Sequence, residues 1–247
     1  MYSCLKLIVA VASMTAVVNS VNAQVLYEPI YSPSMMMALH NNKFNPIVNG
    51  VIEKGRDKSA TPGKSTKVET TPATALVFKQ SAARTRTNFA NFVSKTSTTD
   101  PEGAKKMAAL FASTDVIAMF GKSLAPYGLR TNDVSHAYTV WWMNAWQAAN
   151  GLNDDFDKPT AQAVAGQAAR GLLSSPQFTS ASETQKQEFA EAMLIQAAMI
   201  GSAQTTFAKD PKMLQQLATS VKQGAKASGI DLDLLVLTPQ GFKSTVK

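Results

Sequence analysis

The chain has 247 residues, with 24 Lys and Arg against 17 Asp and Glu for a formal net charge of +7, two histidines and one cysteine. A single cysteine excludes an intrachain disulfide and a cysteine-ligated zinc, and two histidines exclude a histidine-rich zinc site within one chain. A moderately basic protein is drawn to anionic envelope surfaces as readily as to nucleic acid, so charge alone does not choose the partner.

The first 23 residues have a secretory plan. Lys6 supplies a weak positive start, Leu7 to Val18 an apolar stretch broken by Ser13 and Thr15, and Val21-Asn22-Ala23 a small-residue site, so residues 1–23 are expected to be a signal peptide cut before Gln24. The stretch is shorter than the roughly 20 apolar residues a membrane span needs, and polar Asn19, Ser20 and Asn22 follow it. Export to the periplasm or the extracellular space is therefore expected, with no transmembrane segment after cleavage. Cys4 precedes the apolar stretch, so it cannot carry the lipid of a lipoprotein and would leave with the leader. The mature chain would then have no thiol chemistry.

Residues 24–74 are rich in Pro, Asn, Ser, Thr and Lys, and from Lys54 to Thr71 only Ala60, Pro62 and Val68 could join a core. Such a segment buries too little to offset the entropy of ordering it and is expected to be a flexible, low-complexity tether. Its Met35, Met36, Met37 and His40 offer soft thioethers and an imidazole suited to Cu(I), although methionine also serves simply to pack against a surface. Its bases Lys54, Arg56, Lys58, Lys64 and Lys67 lack interleaved aromatics, which gives nucleic-acid stacking no support.

From residue 75 to the end the spacing predicts an all-α helical bundle of about six or seven helices. Phe78, Ala82, Phe89, Phe92 and Val93 share a stripe, giving a first helix from about Ala75 to Lys95. Asp100-Pro101 starts a short second, because proline at the first helical position gives up an amide that has no partner there. Thr114 or Asp115 caps a third that ends near Pro126. The next runs between Asn132, read as its cap, and Gly151, read as a left-handed stop. It carries Tyr138, Trp142 and Trp146 on one ridge and Trp141 on the adjacent one, which makes it the expected centre of the core. Another follows from about Thr160 to Leu173. A long helix starts where Ser182 and Gln185 have capping-box spacing and continues to Ala208, apolar on most sides. The last begins at Asp210-Pro211 and stops at Gly229. Beyond it, Leu232 and Leu234 to Leu237 suit a helical turn or a single strand with no evident partner, ahead of the turn Thr238-Pro239-Gln240-Gly241.

Motifs with chemical content are few. Gly63-Lys64-Ser65 and Gly121-Lys122-Ser123 echo the end of a phosphate loop, but Lys58 and Val116 stand where its first glycine belongs. Asn153, Asp155 and Asp157 alternate like a calcium loop, with Lys158 in place of its glycine and Val164 in place of its glutamate, so a solvated acidic loop is the better reading. His136 lies near Asp133 and Ser135, but neighbours on one helix point apart and do not converge as a triad. Glu188 and Glu191 are a carboxylate pair three apart, the raw material of glycoside hydrolysis and equally of any solvated helix face.

Several stretches resemble an uncharacterised family of exported bacterial proteins, a domain-of-unknown-function family. They are Leu124-Ala125-Pro126-Tyr127-Gly128-Leu129, Asn132-Asp133-Val134, Ala137-Tyr138 with Trp142 and Trp146, and Gln187 with Ala190-Glu191-Ala192. Gly229-Ile230-Asp231-Leu232 and Leu237 through Phe242 extend the likeness, which spans most of Thr114 to Phe242, with His136 departing from a small or acidic residue. The resemblance implies no catalytic residue, cofactor or metal. The expected function is a non-enzymatic interaction module binding an envelope protein or anionic surface. The alternatives are a carboxylate-based envelope hydrolase and copper binding through Met35 to His40.

Overall fold

The computed structural model describes residues 73–98, 100–174 and 176–245. The expected leader, nearly all of the tether, Met35 to His40 and Gly63-Lys64-Ser65 lie outside them.

Among the described residues, seven helices form where the sequence supplies caps: α1 Ala82–Ser97, α2 Pro101–Ser113, α3 Val116–Leu124, α4 Val134–Ala149, α5 Lys158–Leu173, α6 Glu183–Thr206 and α7 Pro211–Ala227. Ser81, Asp100, Asp115, Asp133, Asp157, Ser182 and Asp210 each turn a side-chain oxygen onto a backbone N–H of the first turn, an arrangement worth about 1 kcal/mol apiece. At Ser182 the expected capping box with Gln185 is complete. A single helical turn, Pro176–Thr179, precedes α6. Gly151 takes the left-handed conformation expected of it, φ 65°. The architecture is the all-α bundle the spacing predicts.

Expectations for the two ends of the bundle and for the cap of α4 need correction. The first helix starts at Ala82 rather than Ala75. Ala73–Leu76 is a 3-10 turn, and Val77 and Phe78 run extended, pairing with the segment before α4. The Phe78 amide donates to the Asn132 carbonyl and the Asn132 side chain donates back to the Phe78 carbonyl, so Phe78 is buried from an extended backbone. Asn132 is thereby occupied, and Asp133 caps α4 in its place. The C-terminal segment is also more than one strand. After a 3-10 turn at Leu232–Leu234, β1 Leu235–Thr238 pairs antiparallel with β2 Gly241–Ser244, in the register Leu237 to Phe242. The partner lies just past a two-residue turn whose far side, Gly241 at φ 101°, needs glycine.

The core lies between α4 and α6. Tyr138 sits 5.4 Å from Trp141, 5.8 Å from Trp142 and 6.3 Å from Phe189 of α6, ring centre to ring centre. Trp141 and Trp142 are fully buried, as is most of α6. Trp146 departs from the ridge expected to be buried whole, because it is only partly covered. The hairpin docks here, with Phe242 stacked on Trp142 at 4.3 Å and edge-on to Trp146 at 5.9 Å. Among the described residues, no single helix is long and apolar enough to cross a membrane.

Candidate functional site

Near the start of α6, Glu191 is 1% exposed, yet no cation pairs with it among the described residues. Its carboxylate instead accepts from Gln80 Nε2 at 2.7 Å, Thr85 Oγ1 at 2.6 Å, Asn88 Nδ2 at 2.6 Å and Gln187 Nε2 at 2.9 Å. Gln187 also holds both the amide and the carbonyl of Ser81, so α1 and the strand-like segment before it are laced onto α6. Four donors satisfy a carboxylate that burial would otherwise penalise. Glu188, one turn away, shares with Glu191 a cleft of about 30 Å³. That is room for a water rather than a sugar ring.

A larger groove opens where α4 ends. It has a volume of about 270 Å³ and is lined by Trp146 and Gln147 of α4, by Leu152, Asp154 to Asp157 and Thr160, and by Leu237 to Pro239 of the hairpin turn. Trp146, Leu152, Phe156, Leu237 and Pro239 supply apolar surface, and Asp154, Asp155 and Asp157 supply carboxylates. Leu152 is 37% exposed, although it is a large apolar residue. The Trp146 ring is fixed by its indole N–H, which donates to the Leu235 carbonyl at 3.0 Å. Gln147 is buried, and its Nε2 donates to the Asp154 carbonyl at 2.7 Å, which leaves Oε1 with no partner. Asn153 Oδ1 and Gln204 Oε1 nearby are also buried acceptors without a donor.

The hairpin forms one lip of this groove, and its two edges differ. Gln167 of α5 donates to the Phe242 carbonyl at 2.6 Å and accepts from the Phe242 amide at 2.8 Å, as a neighbouring strand would. Both backbone groups of Phe242 therefore face away from β1. The pair Leu237–Phe242 is then the kind that exchanges no backbone hydrogen bond, so the N–H and C=O of Leu237 point outward on the groove side.

The remaining sequence candidates are placed as follows. Gly121-Lys122-Ser123 lies inside α3, where Ser123 donates to the Met119 carbonyl, so it forms no phosphate loop. Asp157 caps α5 through the Thr160 amide, and Asn153 and Asp155 lie in the acidic loop beside it; no group of three metal-ligating side chains exists among the described residues. His136 Nδ1 accepts the Arg130 amide at 3.0 Å, while Ser135 Oγ donates to Asp133 at 2.6 Å and Arg130 pairs with Asp133 at 2.9 Å. The Ser135 hydroxyl thus gives its proton to Asp133, and His136 Nδ1 takes the Arg130 amide, so the serine–histidine pair that a triad needs does not form. Burial lowers the His136 imidazole below its usual value, opposed by Asp133 and reinforced by Arg130. Burial alone pushes the Tyr138 phenol well above its usual range.

Sequence reasoning placed Glu191 in a generic pair and missed its donors Gln80, Thr85 and Asn88, which lie about a hundred residues upstream. It missed the groove as well, having assigned Trp146 to the core. The available signal was Leu152, an apolar residue isolated between Gly151 and the acidic run. A family model described as a family of unknown function (DUF6683) matches residues 3–245. No curated protein and no solved structure matches the chain.

Proposed function

Because the chain belongs to that family of unknown function, we propose a role from its own geometry: an exported helical binding module that holds a partner in the cell envelope through the groove at the end of α4. The observation that carries this reading is the groove itself, where a half-covered tryptophan and an exposed leucine lie in one concavity of about 270 Å³. Apolar surface left in a concave site beside polar groups is the usual form of a recognition surface. Export is supported by the leader pattern of residues 1–23, and the basic residues from Lys54 to Lys67 suit a tether near anionic surfaces.

Carboxylate hydrolysis at Glu188 and Glu191 has weaker support, since their cleft is small and Glu191 already carries four hydrogen bonds. Copper binding rests on Met35 to His40 alone, and a Cu(I) titration of a peptide spanning Ser34 to His40 tests it.

The binding reading is tested by affinity capture from envelope extracts with the full mature chain and its Leu152→Arg variant, which fills the groove from an exposed position. Species retained by the first and lost from the second support it; identical retention overturns it. Amino-terminal sequencing of the envelope-derived protein should begin at Gln24, and an intact Met1 on protein recovered from the cytosol would overturn export.

A further inference from the structure

Building on the binding-module reading, we propose that the groove takes one cationic side chain, the ammonium of lysine or the guanidinium of arginine, from an extended segment of a partner polypeptide. Three independent features converge on this chemistry.

The first is the charge of the lining. Asp154, Asp155 and Asp157 all contribute to it, and no basic residue does. Asp154 and Asp155 are exposed and form no ion pair among the described residues. The adjacent base, Lys158, runs toward Gly128, where its Cε lies 3.6 Å from the position of an added Cβ. In a chain of net charge +7 this is a local concentration of unpaired negative charge.

The second is the set of unpartnered atoms. Gln147 is 2% exposed, its amide orientation is set by the Asp154 carbonyl, and the oxygen left over is an acceptor. Asn153 Oδ1, in the loop between the lining residues Leu152 and Asp154, is a second. An anion would meet only acceptors here, and an apolar group would leave them unpaired. Lysine and arginine carry donors and no acceptor, and their charge answers the carboxylates as well.

The third is shape. At about 270 Å³ the groove falls just below the range of drug-sized pockets, roughly 300 to 1,000 Å³, and suits a single side chain. Trp146, Leu152 and Leu237 would cover an aliphatic stem while the charged head reaches the carboxylates, the division these side chains favour. The fixed Trp146 indole adds a face for the cation. Beside it, the outward N–H and C=O of Leu237 offer a main-chain pairing site, which selects a peptide over a free amine.

The test uses the full mature chain, with the Trp146 indole N–H followed by NMR. The probes are the blocked peptide acetyl-Val-Thr-Lys-Thr-Val-amide, its arginine counterpart, its acetyl-lysine counterpart and butylammonium. The lysine and arginine peptides should shift the Trp146 resonance saturably and in a salt-dependent way. Acetyl-lysine peptide should bind at least about tenfold more weakly, as should the lysine peptide to the Asp154→Asn, Asp155→Asn double variant. Equal binding of the acetylated peptide, or undiminished binding to the double variant, would overturn the cation assignment. Butylammonium binding as tightly as the peptide would overturn the polypeptide assignment. If no peptide binds while envelope capture still depends on Leu152, the proposal fails and the binding-module reading stands.

Discussion

Helix α6 meets buried polar groups in its first half and in its last turn, on opposite terms. Near its start four neutral donors close on the Glu191 carboxylate, whereas near its end Gln204, with Gln147 and Asn153 from α4 and its loop, presents oxygens that no donor reaches. The first region joins segments a hundred residues apart and has little space left. The second gathers apolar surface, carboxylates and spare acceptors around an opening. The Glu191 network, which leaves only the Gln80 Oε1 among its named donors buried without a partner, serves the fold, because breaking it strands groups away from water, while acceptors with no donor beside a groove have a bond still to make.

The contrast can be broken by substitution. The largest effect should come from Glu191→Ala, which strands several donors at once and should cost about 3 kcal/mol in urea unfolding; Glu191→Gln, which sets an NH₂ against them, should cost less but still measurably. A cost near zero for both would remove the first half of the contrast. Gln167→Ala strips two hydrogen bonds from Phe242 and should cost about 1 to 2 kcal/mol, with faster hydrogen exchange confined to Leu235 through Ser244. Smaller still is the acid response of His136. Burial holds its folded-state value below the 6.5 of the free imidazole, so the unfolded chain takes up the proton first, and stability should fall as pH drops through about 6.5 and level off below the folded value. Melting curves at pH 7.5 and 5.0 should show a smaller loss for His136→Gln than for the parent. Least affected should be Asp155→Asn, whose melting midpoint should match the parent, because an exposed carboxylate with no partner contributes nothing to the fold. A drop there would show that the groove acids are structural.

The two regions were unequally legible in the sequence. Helix α6 announces itself through the Ser182 and Gln185 capping box, and α4 through aromatics four apart, because these are local patterns. The start of α1 was misread because Phe78 falls in register with a helical stripe while its backbone pairs with Asn132, a contact across more than fifty positions. β2 escaped notice because four residues after a turn, Gly241 to Ser244, show no alternation of their own. Glu191 looked like any helix carboxylate, since its special state depends on Gln80, Thr85 and Asn88 arriving from another helix and its lead-in. The groove is harder still, being a property of space between α4, a loop and a hairpin that no window of sequence contains.

The amide of Gln167 has a consequence for how copies of this chain can associate. By occupying the outer face of β2 at Phe242 it blunts one edge of the ribbon, and the Trp146 indole takes the Leu235 carbonyl on the other, so the pairing position left on that side is Leu237. A ribbon with one live side can recruit a single extended segment but cannot relay pairing onward. Assembly by strand addition alone therefore stops at the first segment.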